Sequence, residues 1–261
     1  VLPQRLPAKE ITAITRDHHF IDFGKHAFGW LEISLESREA TTVEVRLGEH
    51  AVDQRVDLHP GGTIRSAQAT LNLRVGRHCY RVETPRDQRN TAEPLAIRLP
   101  AEFGNVLPFR YAEIIGHADS LEPEDLAQVR LEYPFDENAS SFTSSEPDLD
   151  AVWSFCKYTI QATTFCGVYV DGDRERIPYE ADAFLNQLGH YAVDREFSLA
   201  RHTHEYLMIQ PTWPTEWLQH SVMLAWADYE TTGDHRSLTR HYDQLRAEKI
   251  LLKFARPDGL L

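Results

Sequence analysis

Asp136-Glu137-Asn138-Ala139-Ser140-Ser141-Phe142-Thr143-Ser144-Ser145-Glu146-Pro147 divides this chain into two parts with different periodicities. The stretch is polar and serine-rich, and Pro147 suits the first turn of a helix, where its missing N–H would have no intrahelical partner. Upstream, Trp30-Leu31-Glu32-Ile33-Ser34-Leu35, Thr42-Val43-Glu44-Val45-Arg46-Leu47 and Ala69-Thr70-Leu71-Asn72-Leu73-Arg74-Val75 alternate apolar and polar residues. Successive side chains of an extended backbone point to opposite faces, so these are half-buried strands. Pro60-Gly61-Gly62, Pro85-Arg86-Asp87 and Pro100 punctuate them. Many short alternating strands separated in this way predict an antiparallel β-sandwich. The cluster Phe23-Gly24-Lys25-His26-Ala27-Phe28-Gly29-Trp30 has two readings, a ligand platform or a sandwich edge packed against the next domain.

Downstream of the divide the period becomes helical. Leu149, Val152, Trp153, Cys156 and Ile160 recur at steps of three and four, which predicts one apolar face of a first helix. Pro178 is expected in the first turn of a second helix running through Tyr191. A third covers about Glu196 to Met208, a fourth Trp217 to Thr232 with its end near Gly233, and a fifth Ser237 to Phe254. Helices joined by short connections, with no strand between them, make an α/α array. The expected domains are a β-sandwich over 1–135, a linker over 136–147 and the helical array over 148–261.

At 261 residues the chain suits two domains. A formal charge of -13 argues against a nucleic-acid partner, which needs a basic footprint. No apolar run approaches the roughly 18 residues of a membrane span, so no membrane partner is expected. Cys79, Cys156 and Cys166 lack metal-ligand spacing, and an odd count rules out a complete disulfide framework. They are expected to pack as small apolar residues. The chain opens on Val1 rather than a methionine and closes on Pro257-Asp258-Gly259-Leu260-Leu261 directly after a helical stretch, so it is expected to be a piece of a larger protein. With a signal peptide among the ways its start was removed, a periplasmic or secreted location is favoured over a cytoplasmic one. A homo-oligomer is left open.

The chemistry concentrates in Val168-Tyr169-Val170-Asp171-Gly172-Asp173-Arg174-Glu175-Arg176-Ile177-Pro178-Tyr179-Glu180-Ala181-Asp182, where five carboxylates, two arginines and two tyrosines fall within fifteen residues. A connection between helices has no packing need for such charge. Asp171, Asp173 and Glu175 alternate like early ligands of a calcium loop, but the later oxygen ligands are absent and two arginines would repel a cation, so neither metal nor cofactor is expected. Acid/base work on a sugar fits better. Glycoside hydrolysis needs one protonated carboxyl group, a second carboxylate to activate water, and side chains that grip hydroxyls. Crowded acids raise the proton affinity of the most buried member. Arg174 can keep a neighbouring acid ionised and Tyr179 can stack on a sugar face. The competing structural reading is a salt-bridge knot that fastens the loop. A second cluster, Gln210-Pro211-Thr212-Trp213-Pro214-Thr215-Glu216-Trp217-Leu218-Gln219-His220, lies between the third and fourth helices and supplies the aromatic and polar groups of a saccharide subsite. Trp213, Glu216 and Trp217 are its candidate substrate-binding residues.

The block from Asp171 to Asp182 resembles the catalytic-loop signature of bacterial α-L-rhamnosidases of glycoside hydrolase family 78. Trp213-Pro214-Thr215-Glu216-Trp217 is similar to that family's aromatic sugar-binding loop, and Phe23 to Trp30 with Pro108-Phe109-Arg110-Tyr111 resemble strands of its β-sandwich. The resemblance implies an N-terminal antiparallel β-sandwich followed by the first part of an (α/α)6 barrel. It also implies hydrolysis of terminal α-L-rhamnose, from a glycoside or polysaccharide, with inversion. Carried over by position, Glu175 is implied as general acid, with Asp171, Asp182 and Arg174 holding rhamnose hydroxyls. Many members have one more residue between the first aspartate and the acid, and a tryptophan where Tyr179 stands; Asp173 is therefore a candidate to substitute for Asp171. Twelve helices of about 12 residues with connections of about 5 need roughly 200 residues, more than 148–261 provides. The general base is expected on a missing later segment. Two alternatives stay open: a non-catalytic carbohydrate-binding fragment, and another α/α-barrel glycosidase or polysaccharide lyase.

Overall fold

A computed structural model describes residues 1–92, 94–213 and 215–260. Pro214 of the tryptophan cluster and the terminal Leu261 lie outside the described residues. Two compact units emerge: Leu2–Glu93 with Arg98–Leu131, and Glu132–Leu261 with Val1 and Pro94–Ile97. Among the described residues no helix is long and apolar enough to cross a membrane.

The first unit is antiparallel β structure. Its strands are β1 (Leu2–Pro7), β2 (Glu10–Thr15), β3 (His18–Ser37), β4 (Thr41–Gly48), β5 (Ala51–Val52), β6 (Arg55–Val56), β7 (Ser66–Leu73), β8 (Gly76–Arg81), β9 (Leu107–Ile115) and β10 (Leu126–Glu132). The 20-residue β3 organises the sheet. Its first half pairs with β2 and β9, and its second half with β10 and β8. β9 continues to β4 and β7. The change of partners follows an irregularity between Asp22 and Ala27, where Gly24 takes φ 83° and donates its N–H to the Asp22 carboxylate. Arg110 grips that carboxylate through two hydrogen bonds of 2.8 Å, which fixes the bend and holds the Asp22 carboxyl below its ordinary range.

Alternation along β3, β4 and β9 sends Ile21, Ile33, Leu35, Val45, Phe109 and Ile114 into one core. Each such side chain contributes about 1.5–3 kcal/mol on burial. Within the Phe23–Trp30 cluster, Phe23, Ala27 and Trp30 are buried, while Lys25 and His26 are exposed. Phe23 meets Phe109 edge-on at 5.7 Å, and Arg81 lies 3.9 Å over the Trp30 ring. At Gly29 the backbone of β10 comes so close that a Cβ would sit 1.9 Å from the Val129 carbonyl oxygen.

The second unit is helical: α1 (Pro147–Ala162), α2 (Glu180–Val193), α3 (Ser198–Ile209), α4 (His220–Thr232) and α5 (Arg236–Gln244). Tyr169, Ala183, Leu199, Ala200, Leu207 and Leu224 form its main core. A polar clamp joins three helices, since Asp228 accepts from Tyr191 at 2.7 Å and from Arg201 at 2.9 Å. Gly233 ends α4 in the left-handed conformation, φ 68°, with its N–H on the Tyr229 carbonyl.

Four expectations need correction here. The periodic face of α1 is not its buried face: Leu149, Val152 and Cys156 are exposed, while Lys157 and Gln161 are buried. Lys157 donates to the carbonyls of Glu137 (2.7 Å) and Ser140 (3.1 Å), so the serine-rich stretch lies on that side of the helix. Pro178 precedes α2 instead of opening it, because Tyr179 at the N-cap is extended. The fifth helix stops at Gln244 and passes into a π turn, Leu245–Lys249, before a short 3-10 turn at Leu252–Phe254. Of the cysteines only Cys166 is buried, with its thiol pushed up to about 12 by burial; Cys79 and Cys156 are exposed.

Candidate active site

The acidic loop is anchored before it begins. Val168, Tyr169 and Val170 are almost fully buried, and the Tyr169 hydroxyl lies 2.6 Å from His190 Nδ1 while its N–H reaches Thr203 Oγ1 at 3.1 Å. Residues 171 to 177 then form a closed loop. Asp171 donates its N–H to the Ile177 carbonyl, and Ile177 returns its N–H to Asp171 Oδ1, each at 3.2 Å. Gly172 (φ 106°) and Arg176 (φ 57°) supply the left-handed residues that let the chain reverse. For arginine this costs roughly 1–2 kcal/mol. The strain is offset by fixing the side chain: Arg176 donates to Asp173 Oδ1 at 2.6 Å, covers the Phe165 ring, and accepts at its carbonyl from Ile97 N–H at 2.9 Å.

The Asp173 carboxylate is buried against Arg176 and braces the loop. The salt-bridge reading of the acidic stretch holds for this pair.

Asp171, Arg174, Glu175 and Tyr179 come together. Tyr179 donates its hydroxyl to Glu175 Oε2 at 2.7 Å, and Arg174 stands 3.4 Å from the same oxygen and 3.8 Å from Asp171 Oδ2. The Asp171 side chain is 8% exposed and its Oδ2 has no hydrogen-bond partner among the described residues. Burial, then the charges of Glu175 and Asp182, push this carboxyl up to about 6, against the Ile177 N–H and Arg174, which favour its ionised form. Asp182, in the first turn of α2, is also raised, by burial, and Arg174 opposes the shift.

Aromatic rings complete the wall. The Tyr179 ring centroid is 6.5 Å from Trp213 and 6.0 Å from Trp217, the latter edge-on, and the two tryptophans are 6.1 Å apart. Trp213 is half exposed, so its ring is available to a ligand. Glu216, on the 3-10 turn Glu216–Gln219, is exposed, and no contact draws it to this group.

A residue that the sequence reading left without a role holds the two loops together. Glu180, fully buried, accepts from the Thr212 N–H at 2.9 Å and from the Thr212 hydroxyl. It ties the start of α2 to the residue before Trp213. The one signal in the sequence was an acid directly after Tyr179, at a helix start; its acceptor role depends on a threonine that is distant in the chain. No group of three or more metal-capable side chains occurs among the described residues.

The site is thus a loop of carboxylates braced on paired helices and faced by a tyrosine and two tryptophans. Residues 137–253 match the family model of the bacterial alpha-L-rhamnosidase 6 hairpin glycosidase domain. Its fold is similar to the alpha-L-rhamnosidase from Dictyoglumus thermophilum, with TM-score 0.72 and 15% identity over 99% of this chain and 30% of that one. It is also similar to the alpha-L-rhamnosidase of Streptomyces avermitilis complexed with L-rhamnose (TM-score 0.70, 16% identity, 97% of this chain and 24% of that one). The GH78 family rhamnosidase of Bacillus sp. GL1 gives TM-score 0.66 and 16% identity over 99% of this chain and 26% of its own. At these identities the likeness speaks to the fold alone, and the chain spans less than a third of each of these three solved chains. No curated protein matches it.

Proposed function

We propose that this chain supplies the acid side of an inverting glycoside hydrolase that removes terminal α-L-rhamnose from rhamnosides. Glu175 is the general acid. Asp171, Asp182 and Arg174 grip the sugar hydroxyls, Tyr179 and Trp213 form its aromatic wall, and the base that activates water comes from a segment outside these residues. The observation that carries this reading is the Glu175 carboxylate, held 2.7 Å from the Tyr179 hydroxyl beside Arg174 and the tryptophans. The exposed apolar residues of α1, Leu149, Val152 and Phe155, support a barrel that continues with further helices packed on them.

The test compares two leaving groups in a protein carrying the whole barrel. Glu175→Gln keeps the shape and removes the proton. With a natural aglycone it is expected to cost about 10²–10⁴ in rate, and with a nitrophenyl rhamnoside, whose departure needs little protonation, much less. Equal losses on both substrates would mean that Glu175 binds or attacks instead. A second reading, in which Asp171 donates the proton, is favoured by its buried carboxyl, pushed up to about 6. In that case Asp171→Asn, and not Glu175→Gln, shows the leaving-group dependence.

A further inference from the structure

Asp194, His190 and Tyr169 form a buried polar tether that leads to the acidic loop and that the proposed hydrolysis does not use. Asp194 follows the last residue of α2, and its N–H donates to the His190 carbonyl at 2.8 Å. Its carboxylate accepts the Arg195 N–H on Oδ1 at 2.7 Å and stands with Oδ2 3.3 Å from His190 Nε2. Nδ1 of the same ring lies 2.6 Å from the Tyr169 hydroxyl. All three residues are buried, His190 completely. Phe135 lies parallel to the imidazole at 5.9 Å and Tyr169 meets it edge-on, which fixes the plane of the ring.

The partners assign the protons. A carboxylate only accepts, so His190 carries its proton on Nε2 and presents Nδ1 as an acceptor. The Tyr169 hydroxyl keeps its proton, because burial raises it far above its ordinary range, and donates to Nδ1. The sense of both bonds thus follows from one carboxylate. A buried network with every member satisfied rigidifies what it holds.

What this one holds is the start of the site. Tyr169 precedes Asp171 with only the buried Val170 between them. His190 and Asp182 lie on the same helix, about two turns apart. The tether therefore joins Asp171 to the helix that carries Asp182, and the charge of Asp182 is among the causes that raise the Asp171 carboxyl. We infer that His190 and Asp194 are positioning residues which, through the Tyr169 hydroxyl, fix the place of Asp171 against Asp182 and so set how firmly the loop holds a sugar hydroxyl. The sugar in that statement rests on the hydrolase reading; the placement of Asp171 does not.

The test uses the full chain and three variants. Tyr169→Phe keeps the ring and removes the donor. In Asp194→Asn the amide oxygen stays on the Arg195 N–H, so its NH2 turns to His190 and forces the ring proton to Nδ1, against the Tyr169 hydroxyl. Leu224→Val, in the core of the same unit, is the control for lost packing alone. Nitrogen NMR reads the His190 tautomer, carbon NMR the Asp171 carboxyl titration, and calorimetry the affinity for L-rhamnose. The native chain should carry the His190 proton on Nε2. Both tether variants should lower the Asp171 titration by about half a unit or more as water reaches the carboxyl, and weaken L-rhamnose at least about fivefold; Leu224→Val should do neither. A native His190 proton on Nδ1, an Asp171 titration unmoved in either tether variant, or an equal shift in Leu224→Val would overturn the assignment. A native chain that shows no L-rhamnose binding tells against the hydrolase reading, and the Asp171 titration then decides this inference by itself.

Discussion

Asp171→Asn is expected to make the protein more stable at neutral pH and less able to hold a sugar. The carboxyl is 8% exposed, and its proton affinity rises from 3.8 to about 6, first because burial disfavours the charge. An acid raised in the folded state binds more protons there than in the unfolded chain, so its contribution to stability falls as pH rises from 3.8 towards 6 and is constant above. Two pKa units correspond to about 3 kcal/mol at full effect. Relative to the asparagine variant, the native protein should lose less than about 1 kcal/mol at pH 4 and on the order of 2–3 kcal/mol at pH 7, the gap widening between. The amide keeps the Ile177 N–H contact and carries no charge to desolvate. Urea unfolding of both proteins from pH 4 to 8, followed by far-ultraviolet circular dichroism, reads the difference directly. If the two stability profiles run parallel across that range, Asp171 is ionised without penalty and the reasoning fails. The same variant, titrated with L-rhamnose, should bind at least about tenfold more weakly, which would identify the stored cost as serving the ligand.

Removing the buried acceptor by Glu180→Ala should leave the Thr212 N–H unpaired and cost about 1–3 kcal/mol, with a red shift of tryptophan emission as Trp213 and Trp217 lose their place; Glu180→Gln, which retains an acceptor, should recover most of both. Gly29→Ala drives a Cβ to 1.9 Å from the Val129 carbonyl, so β3 and β10 must part, and thermal unfolding should show a loss of more than about 3 kcal/mol. Under native conditions an alkylating reagent followed by mass spectrometry should modify Cys79 and Cys156 and spare Cys166, whose thiol is buried and pushed up to about 12.

Local pattern made the β unit and most helices readable, because alternation and the 3.6 period record which face of one segment is buried. The acidic loop was readable for a related reason: its charges lie next to one another in the chain, as do the tryptophans of the second cluster. The misreadings all turn on partners that are distant in sequence. Leu149, Val152 and Cys156 have helical spacing, but the side of α1 that the unit covers carries Lys157, and the carbonyls of Glu137 and Ser140 make a lysine acceptable there. Glu180 looked like one more acid of the site until Thr212 was found donating to it. Asp173 and Glu175 are equivalent by composition, and only the left-handed turn at Arg176 sends one to a guanidinium and the other to Tyr179.

That division of labour explains why so many acids are gathered in so short a stretch. Asp173 neutralises the arginine that lets the loop reverse, and Glu180 pins the aromatic wall. Asp171 and Glu175 are then held close on a braced loop, where the ionised form of Asp171 is opposed by burial and by its neighbour's charge. A loop that only fastened helices would relieve this by turning Asp171 to solvent or giving its Oδ2 a donor. Under the proposed reading, its buried oxygen, 3.8 Å from Arg174 and without a hydrogen-bond partner among the described residues, accepts a hydroxyl that a sugar can supply without adding charge.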